Sequence, residues 1–480
     1  MTHHLFGRAD WVLGLTLLVS FGYFSQAGGW NQNSRFDLVR AIVEQGTTRI
    51  DAYVDNTGDR AELNGHAYSD KAPGQALTAL PLAVVWSAVA PKPQSSTSLA
   101  LMAYAITLLA SGLPTVMAAV CMSWSARVLG ASRTGAALTA IAFAIASPAF
   151  AYATLLWGHA LAAGCLMAAF AAALAIAHAR QVRLLALTAG VAAGWGVVTE
   201  FPVAPAAAIL IGLAVVNAHA RRRAVLLYSA AGAAASLAVL AVYNVASFGS
   251  PTFISYSAVQ GFAGMSEGLF GVTLPKRTIF QEILFGQFRG LVPLAPAVVL
   301  APIGLILAWR CEPRNRPALA AAVLVSAYYL LFNSAYYYWD GGFSYGPRHI
   351  GAALPFLFLG LGPLWTAAPR LLRALIVALI TIGTALSTMA VSTIVMLPED
   401  IASPVTQLIL PAFLHANLAQ NKQSFLQYGD ANPAQGLLAA WNIGQLAGLP
   451  AVWSLAPLVL IWAIGLYLIV KLPGPEEVPR

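Results

Sequence analysis

Charge is what this sequence has least of: 26 Lys and Arg and 18 Asp and Glu make up 9% of 480 residues, while 59% are hydrophobic. Soluble domains are about a quarter charged and close to half apolar, so this composition excludes an ordinary water-soluble fold. Cysteine is nearly missing as well. Cys121, Cys165 and Cys311 lie in or beside apolar segments without metal-like spacing, which excludes a disulfide framework and a zinc site. There is no repeat of fixed period, no low-complexity linker and no Asp-x-Asp pair. The net charge of +8 does not point to nucleic acid, because the basic residues sit mostly in short connectors between apolar runs.

What is abundant is apolar sequence in lengths that suit a bilayer, for which a helical span needs about 20 residues. Spans are expected near 10–26, 98–121, 134–154, 159–178, 183–198, 202–218, 224–246, 290–309, 317–336, 350–368, 373–396 and 451–471. The first has no small-residue cleavage site after it and is kept as a span rather than a signal peptide. Segment 76–91 is short and bounded by prolines, and is read as lying on or dipping into the outer face. The total is therefore twelve, or thirteen if 76–91 crosses. One polytopic all-α domain over 1–480 is expected, with alanines allowing close helix packing.

The basic connectors Ala126–Arg133, His178–Arg183, His219–Arg223, Arg310–Arg316 and Arg370–Arg373 go to the cytoplasm by the positive-inside rule. The long polar segments 27–75, 247–289, 339–349 and 398–450 are then extracytoplasmic, as are the turns at Trp157–His159 and Glu200. Of these, 27–75 is richest in acids, with Asp37, Glu44, Asp51, Asp55, Asp59, Glu62 and Asp70. Ser34, Asp37, the apolar Leu38, Val39, Ile42 and Val43, and then Gly46 predict a short amphipathic helix on the membrane surface. Asp37 can close a capping box with Ser34, which does not exclude a chemical role.

His159 and Glu200 are lone ionisable groups in tight turns, where a polar group is either hydrated in the headgroup layer or functional. Lys276, Arg277 and Arg289 place positive charge on the side where anionic lipid gives no help, so an anion such as phosphate is one cause and a charge-indifferent translocated loop another. Gly341, Gly342 and Gly346 leave room for close approach, Arg348 can fork onto a phosphate, and the neighbouring aromatics, Tyr345 among them, suit either a site or an interfacial belt. In 398–450, Glu399, Asp400, His415, Lys422 and Asp430 show no interpretable spacing.

An N-terminal span, an outer loop with a short helix and acids, the pair Arg35-Phe36 and the closing turn Asp70-Lys71-Ala72-Pro73 together resemble the C-type (GT-C) glycosyltransferase superfamily. The resemblance is strongest to the branch of protein O-mannosyltransferases and lipid A aminoarabinose transferases. There the corresponding elements are an Arg-Tyr pair and an Asp-Lys-Pro-Pro turn. The resemblance implies a module over 1–246 with its catalytic loop at 27–75, followed by more variable helices over 247–480. It further implies a sugar donor carried on a polyprenyl phosphate, inverting transfer to an extracytoplasmic glycan, lipid or protein, and a place in the inner (plasma) membrane. Relatives carry an acid just before the Arg-Tyr pair, where this chain has Asn31, Gln32, Asn33 and Ser34. Asp37 is therefore the expected base, with Asp70 and then Asp59 behind it. Arg35, Lys71, His159, Glu200, Arg289, Tyr345, Arg348 and His349 are the expected substrate-binding residues, the cations holding the leaving phosphate. A loop acid pair could hold Mg²⁺ or Mn²⁺.

The rival function is a lipid or polysaccharide transporter or flippase. Such a protein would carry ionisable residues in mid-span or paired broken helices. Here the spans are nearly free of charge, which favours chemistry at one face.

Overall fold

The computed structural model describes residues 7–90, 94–178, 180–419 and 436–472. The chain is almost wholly helical, with α1 (Arg8–Gly22), α2 (Trp30–Arg40), α3 (Gly74–Val89), α4 (Ser96–Val128), α5 (Arg133–Ala144), α6 (Ala149–Ala153), α7 (Gly158–Ile176) and α8 (Val182–Thr199) in its first half. Its second half adds α9 (Ala204–Asn217), α10 (Arg222–Phe248), α11 (Arg277–Phe285), α12 (Ala301–Cys311), α13 (Arg316–Ala335), α14 (Leu354–Phe358), α15 (Leu361–Ala367), α16 (Arg370–Thr393) and α17 (Ala456–Lys471). Eight described helical segments are long and apolar enough to cross a membrane, one of them, Arg348–Ala367, containing both α14 and α15, and each coincides with an expected span.

The remaining four expected spans are shorter or interrupted, and proline accounts for two of the breaks. Pro148 lacks an amide hydrogen and disfavours helical backbone at Ser147, so the run 134–154 divides into α5 and α6. Pro293 and Pro296 divide 290–309 in the same way, leaving the eleven-residue α12, which has Pro302 in its first turn. The first run overlaps the 15-residue α1, and 202–218 contains the 14-residue α9. The expected short helix at 76–91 is α3, of 16 residues, with Pro81 inside it.

Close helix contacts rest on small residues. A Cβ added to Gly190 of α8 would lie 2.0 Å from the Ser229 carbonyl oxygen of α10, and Ser229 Oγ donates to the Ala186 carbonyl at 3.0 Å. The two backbones thus approach as closely as two helices can, which in lipid supplies packing where no hydrophobic force acts between helices.

Segment 27–75 folds differently from expectation in one respect. α2 starts at Trp30, and the Gln32 Oε1 accepts from the Gly29 amide at 3.1 Å, so Gly29 caps it and Ser34 lies a turn inside. Asp37 therefore closes no capping box. Residues 32 to 39 of α2 are all buried, so the helix is enclosed by protein rather than resting on a surface. Its far end is as expected: a wider turn over Ala41–Gln45 stops at Gly46, whose φ of 66° is the left-handed value glycine favours.

After a 3₁₀ turn at Asp51–Asn56, β2 (Arg60–Leu63) and β3 (His66–Ser69) form a two-residue hairpin, with β1 (Phe24–Ser25) paired to β4 (Trp441–Asn442) elsewhere. Asn64 and Gly65 both have positive φ, 53° and 78°, the conformation that an Asn-Gly hairpin turn requires. Arg60 faces Ser69 in this register. The residues flanking the hairpin, Asp59 and Asp70, are thereby brought to the same end.

Candidate active site

At the end of the bundle where α7 begins and α8 and α13 finish lies a cavity of about 1010 Å³. Its lining includes Arg35, Asp59, Asp70, Lys71, Trp157, His159, Glu200, Arg348, His349 and Glu399, with a wall of aromatics that contains Tyr256, Phe332 and Tyr336–Tyr338. Mostly apolar walls with a few converging polar groups are the usual make-up of a small-molecule site.

The hairpin explains the first cluster. Lys71 Nζ lies 2.9 Å from Asp59 Oδ2 and 2.7 Å from Asp70 Oδ2, so one ammonium bridges two carboxylates that lie eleven positions apart in the chain. Ser34 Oγ donates to Asp70 Oδ1 at 3.3 Å, and Ser255 Oγ to the Asp70 carbonyl at 2.7 Å. Burial works to raise the Asp59 carboxyl. The charge and hydrogen bond of Lys71, with Arg348 and Arg35 beyond, outweigh it and hold Asp59 below the usual carboxylate value. For Asp70, burial prevails and its carboxyl is pushed up. Burial would lower Lys71, but the two carboxylates keep it raised and charged.

Gly74 seats this cluster against the next. A Cβ there would meet the Thr199 amide nitrogen at 2.7 Å, so the start of α3 docks directly on the end of α8, where Glu200 stands. Arg35 Nη2 bonds Glu200 Oε1 at 2.9 Å, while its Nη1 bonds the Asn31 side chain and, at 3.2 Å, the Asn31 carbonyl. His159 Nδ1 is 3.8 Å from the same Glu200 oxygen. Burial pushes the Glu200 carboxyl up against the pull of Arg35, Lys71 and Arg348.

The third cluster faces these two. Arg348 lies over the Trp157 ring with its Cζ 5.1 Å from the centroid, and it has no carboxylate at ion-pair distance among the described residues. A Cβ on Gly341 would fall 2.7 Å from Arg348 Cγ, so glycine gives the guanidinium stem its room. His349 stands edge-on to Tyr336 at 5.0 Å and to His159 at 5.9 Å. Tyr338 Oη donates to Glu399 Oε1 at 2.7 Å.

Eight of the eleven expected site residues thus line one cavity, and three do not. Asp37 is fully buried and absent from the lining. Positions two apart on a helix point to nearly opposite sides, so when Arg35 faces the cavity Asp37 faces away. Arg289 is also fully buried: its Nη2 donates to the carbonyls of Gly342, Leu397 and Pro398 at 2.7, 3.1 and 3.2 Å, tying two loops together. Tyr345 is buried with its carbonyl accepting from Tyr152 Oη at 2.9 Å. Lys276 and Arg277 are exposed and outside the lining, and Lys422 and Asp430 lie outside the described residues.

Two contributors were not legible as site residues. Glu399 has no motif around it, and Tyr336–Tyr338 read equally well as an interfacial belt. The proximity of Asp59 to Lys71 did have a signal, the Asn64-Gly65 turn between two short runs of strand-forming sequence.

The two carboxylates that could hold Mg²⁺ or Mn²⁺ are bridged instead by the Lys71 ammonium. Among the described residues no group of three His, Cys, Asp or Glu is placed to hold a metal ion.

These features define a multi-pass, all-α membrane protein whose fold is shared with a solved membrane protein. The chain is similar to ArnT from Cupriavidus metallidurans bound to undecaprenyl phosphate, with 17% identity, a TM-score of 0.54, and 96% of this chain and 75% of that one covered. The apo form of the same protein aligns at 16% identity and a TM-score of 0.51, covering 95% and 73%. No family model and no curated protein sequence matches the chain.

Proposed function

We propose that the protein is a glycosyltransferase that moves a sugar from a polyprenyl-phosphate donor to an extracytoplasmic glycan, lipid or protein acceptor, with inversion. The observation that carries this reading is the pairing, in one cavity, of a buried Asp59–Lys71–Asp70 set with an Arg348 that has no carboxylate partner among the described residues. Two carboxylates sharing one ammonium carry a net negative charge and can take up one proton as a unit. The acceptor hydroxyl gives its proton to Asp70, where burial raises proton affinity. Its oxygen attacks the anomeric carbon as the bond to the donor phosphate breaks. The electron pair leaves with the phosphate, and Arg348 meets the charge that develops there. Asp59 stays ionised and holds Lys71 in place. Arg35, Glu200, His159 and His349 form the polar floor, and the tyrosine wall offers flat apolar faces to the sugar. The similarity of fold to a protein solved with undecaprenyl phosphate supports the lipid-linked donor.

The test is transfer of radiolabelled sugar from a panel of polyprenyl-phosphate sugars by the purified protein in lipid. Wild type should turn over with at least one donor, Asp70→Asn should lose transfer while still binding donor, and Arg348→Ala should bind donor weakly. Turnover with none of the donors, combined with movement of the lipid between leaflets, would replace this reading with a flippase.

A further inference from the structure

α2 and the turn Asp51–Asn56 meet through a pair of side chains whose hydrogen bonding is incomplete for a charged carboxylate. Asp37 Oδ1 accepts from Asn56 Nδ2 at 3.1 Å. Asp37 Oδ2 and Asn56 Oδ1 are both buried, both acceptors, and neither has a donor among the described residues. Buried acceptors are nearly always partnered, and leaving one unpartnered costs about 1–3 kcal/mol, more for a charged group. A carboxylate has no hydrogen to give, whereas a carboxylic acid has one. A single proton on Asp37 Oδ2 supplies what the pair lacks, since acid and carboxamide can then donate one hydrogen bond each to the other.

We infer that Asp37 is held as a neutral carboxylic acid donating to the Asn56 carboxamide oxygen, and that this acid–amide pair positions Asp59 without touching substrate. The chain of contacts is short. The Asn56 carbonyl accepts from Asn33 Nδ2 at 2.7 Å, anchoring the turn a second time on α2. Next in the chain, Thr57 Oγ1 donates to the Trp30 carbonyl at 2.8 Å and accepts from the Asp59 amide at 3.1 Å. Asp59 then meets Lys71. The distance from Asp37 to the cavity is thus bridged by backbone and by uncharged groups.

The surroundings agree. Burial pushes the Asp37 carboxyl up to about 8, against the hydrogen bond from Asn56 and the charge of Arg40, with Glu44 adding to the rise. The turn presents Tyr53, whose hydroxyl donates to Glu44 at 2.8 Å, together with Asp51 and Asp55 at its exposed side. β3 brings His66, which is engaged with Asp51 at 2.8 Å, and α3 brings no charged residue. Among the described residues no cation is bonded to Asp37; Arg40 bonds Glu44.

The neutral state of Asp37 is independent of the transferase reading, while the consequence for Asp59 rests on it, and two measurements keep them apart. Infrared difference spectra of the full-length protein, wild type minus Asp37→Asn, should show a protonated-carboxyl band that fades as the pH passes through about 8. The folded value lies above the ordinary 3.8, so protonation stabilises the fold. That contribution is complete below about pH 4 and gone above about pH 8. Apparent melting temperature should therefore fall over this window in wild type and by less in Asp37→Asn. In the transfer assay the wild-type rate should fall as the pH passes through about 8, whereas Asp37→Asn, whose amide can still donate to Asn56, should keep activity within about threefold and show no such fall. Asp37→Leu, which cannot donate, should lose at least tenfold. Absence of the band overturns the neutral acid. Loss of transfer in a folded, donor-binding Asp37→Asn overturns the positioning role and makes Asp37 a reacting group.

Discussion

At the scale of single residues, the proposed chemistry turns on Lys71, an ammonium held by two carboxylates in a buried site. Removing one partner from a buried ion pair leaves an uncompensated charge and costs about 3–5 kcal/mol. Lys71→Ala is accordingly expected to lower the melting temperature and to cut transfer by about a hundredfold or more, the scale of losing a placed electrostatic group. Lys71→Arg should restore stability better than activity, because a planar fork cannot bridge the same two oxygens in the same way. Parallel melting curves and initial rates for the two variants check this. Asp70-Lys71 could be read from the chain as a motif, because sequence neighbours stay neighbours in space. The side on which Asp37 faces could not be read that way, since it depends on where α2 begins, and the Gly29 cap sets that start four residues before the Ser34 that looked like one.

Among the elements, the contact of α3 with α8 is the one that brings the loop cluster to Glu200. Gly74→Ala places a methyl 2.7 Å from the Thr199 amide nitrogen, and backbone cannot yield as a side chain end can. The expected result is about 1–3 kcal/mol of overpacking and loss of transfer in a protein that still folds. Gly212→Ala on α9 meets nothing within 4 Å and serves as the matched control, retaining full rate. Should both variants behave alike, the docking of α3 has no bearing on the site. Helices of this kind announce themselves by apolar length, which is why eight expected spans coincide with described helices. The β2–β3 hairpin is only eight residues of strand and carries its signal in one Asn-Gly turn, so the pairing that joins Asp59 to Asp70 was easy to pass over. Proline breaks at 148 and 293–296 had a visible cause, but whether a proline kinks or ends a helix in lipid depends on what its neighbours offer the freed carbonyls.

For the molecule as a whole, orientation is the property that composition speaks to most directly, and the cysteines can report it. Cys311 is exposed in the basic connector that the positive-inside rule puts in the cytoplasm, while Cys121 and Cys165 are buried. A membrane-impermeant thiol reagent should label the protein at Cys311 in inside-out vesicles and leave it unlabelled in intact cells. Labelling of intact cells would put the cavity on the cytoplasmic side and remove the extracytoplasmic acceptor from the proposal. What the sequence could not supply at this scale is convergence: Arg35, Glu200 and Arg348 come from three distant parts of the chain, and only packing brings them to one cavity. That dispersal also gives the cavity a history during synthesis. Arg35, Asp59, Asp70 and Lys71 all lie within the first 71 residues of the chain, and the formal charges of these four cancel. Glu200 follows with a partner, Arg35, already in place. Arg348 is made after most of the chain, so the charge proposed to meet the donor phosphate is the last of these to arrive.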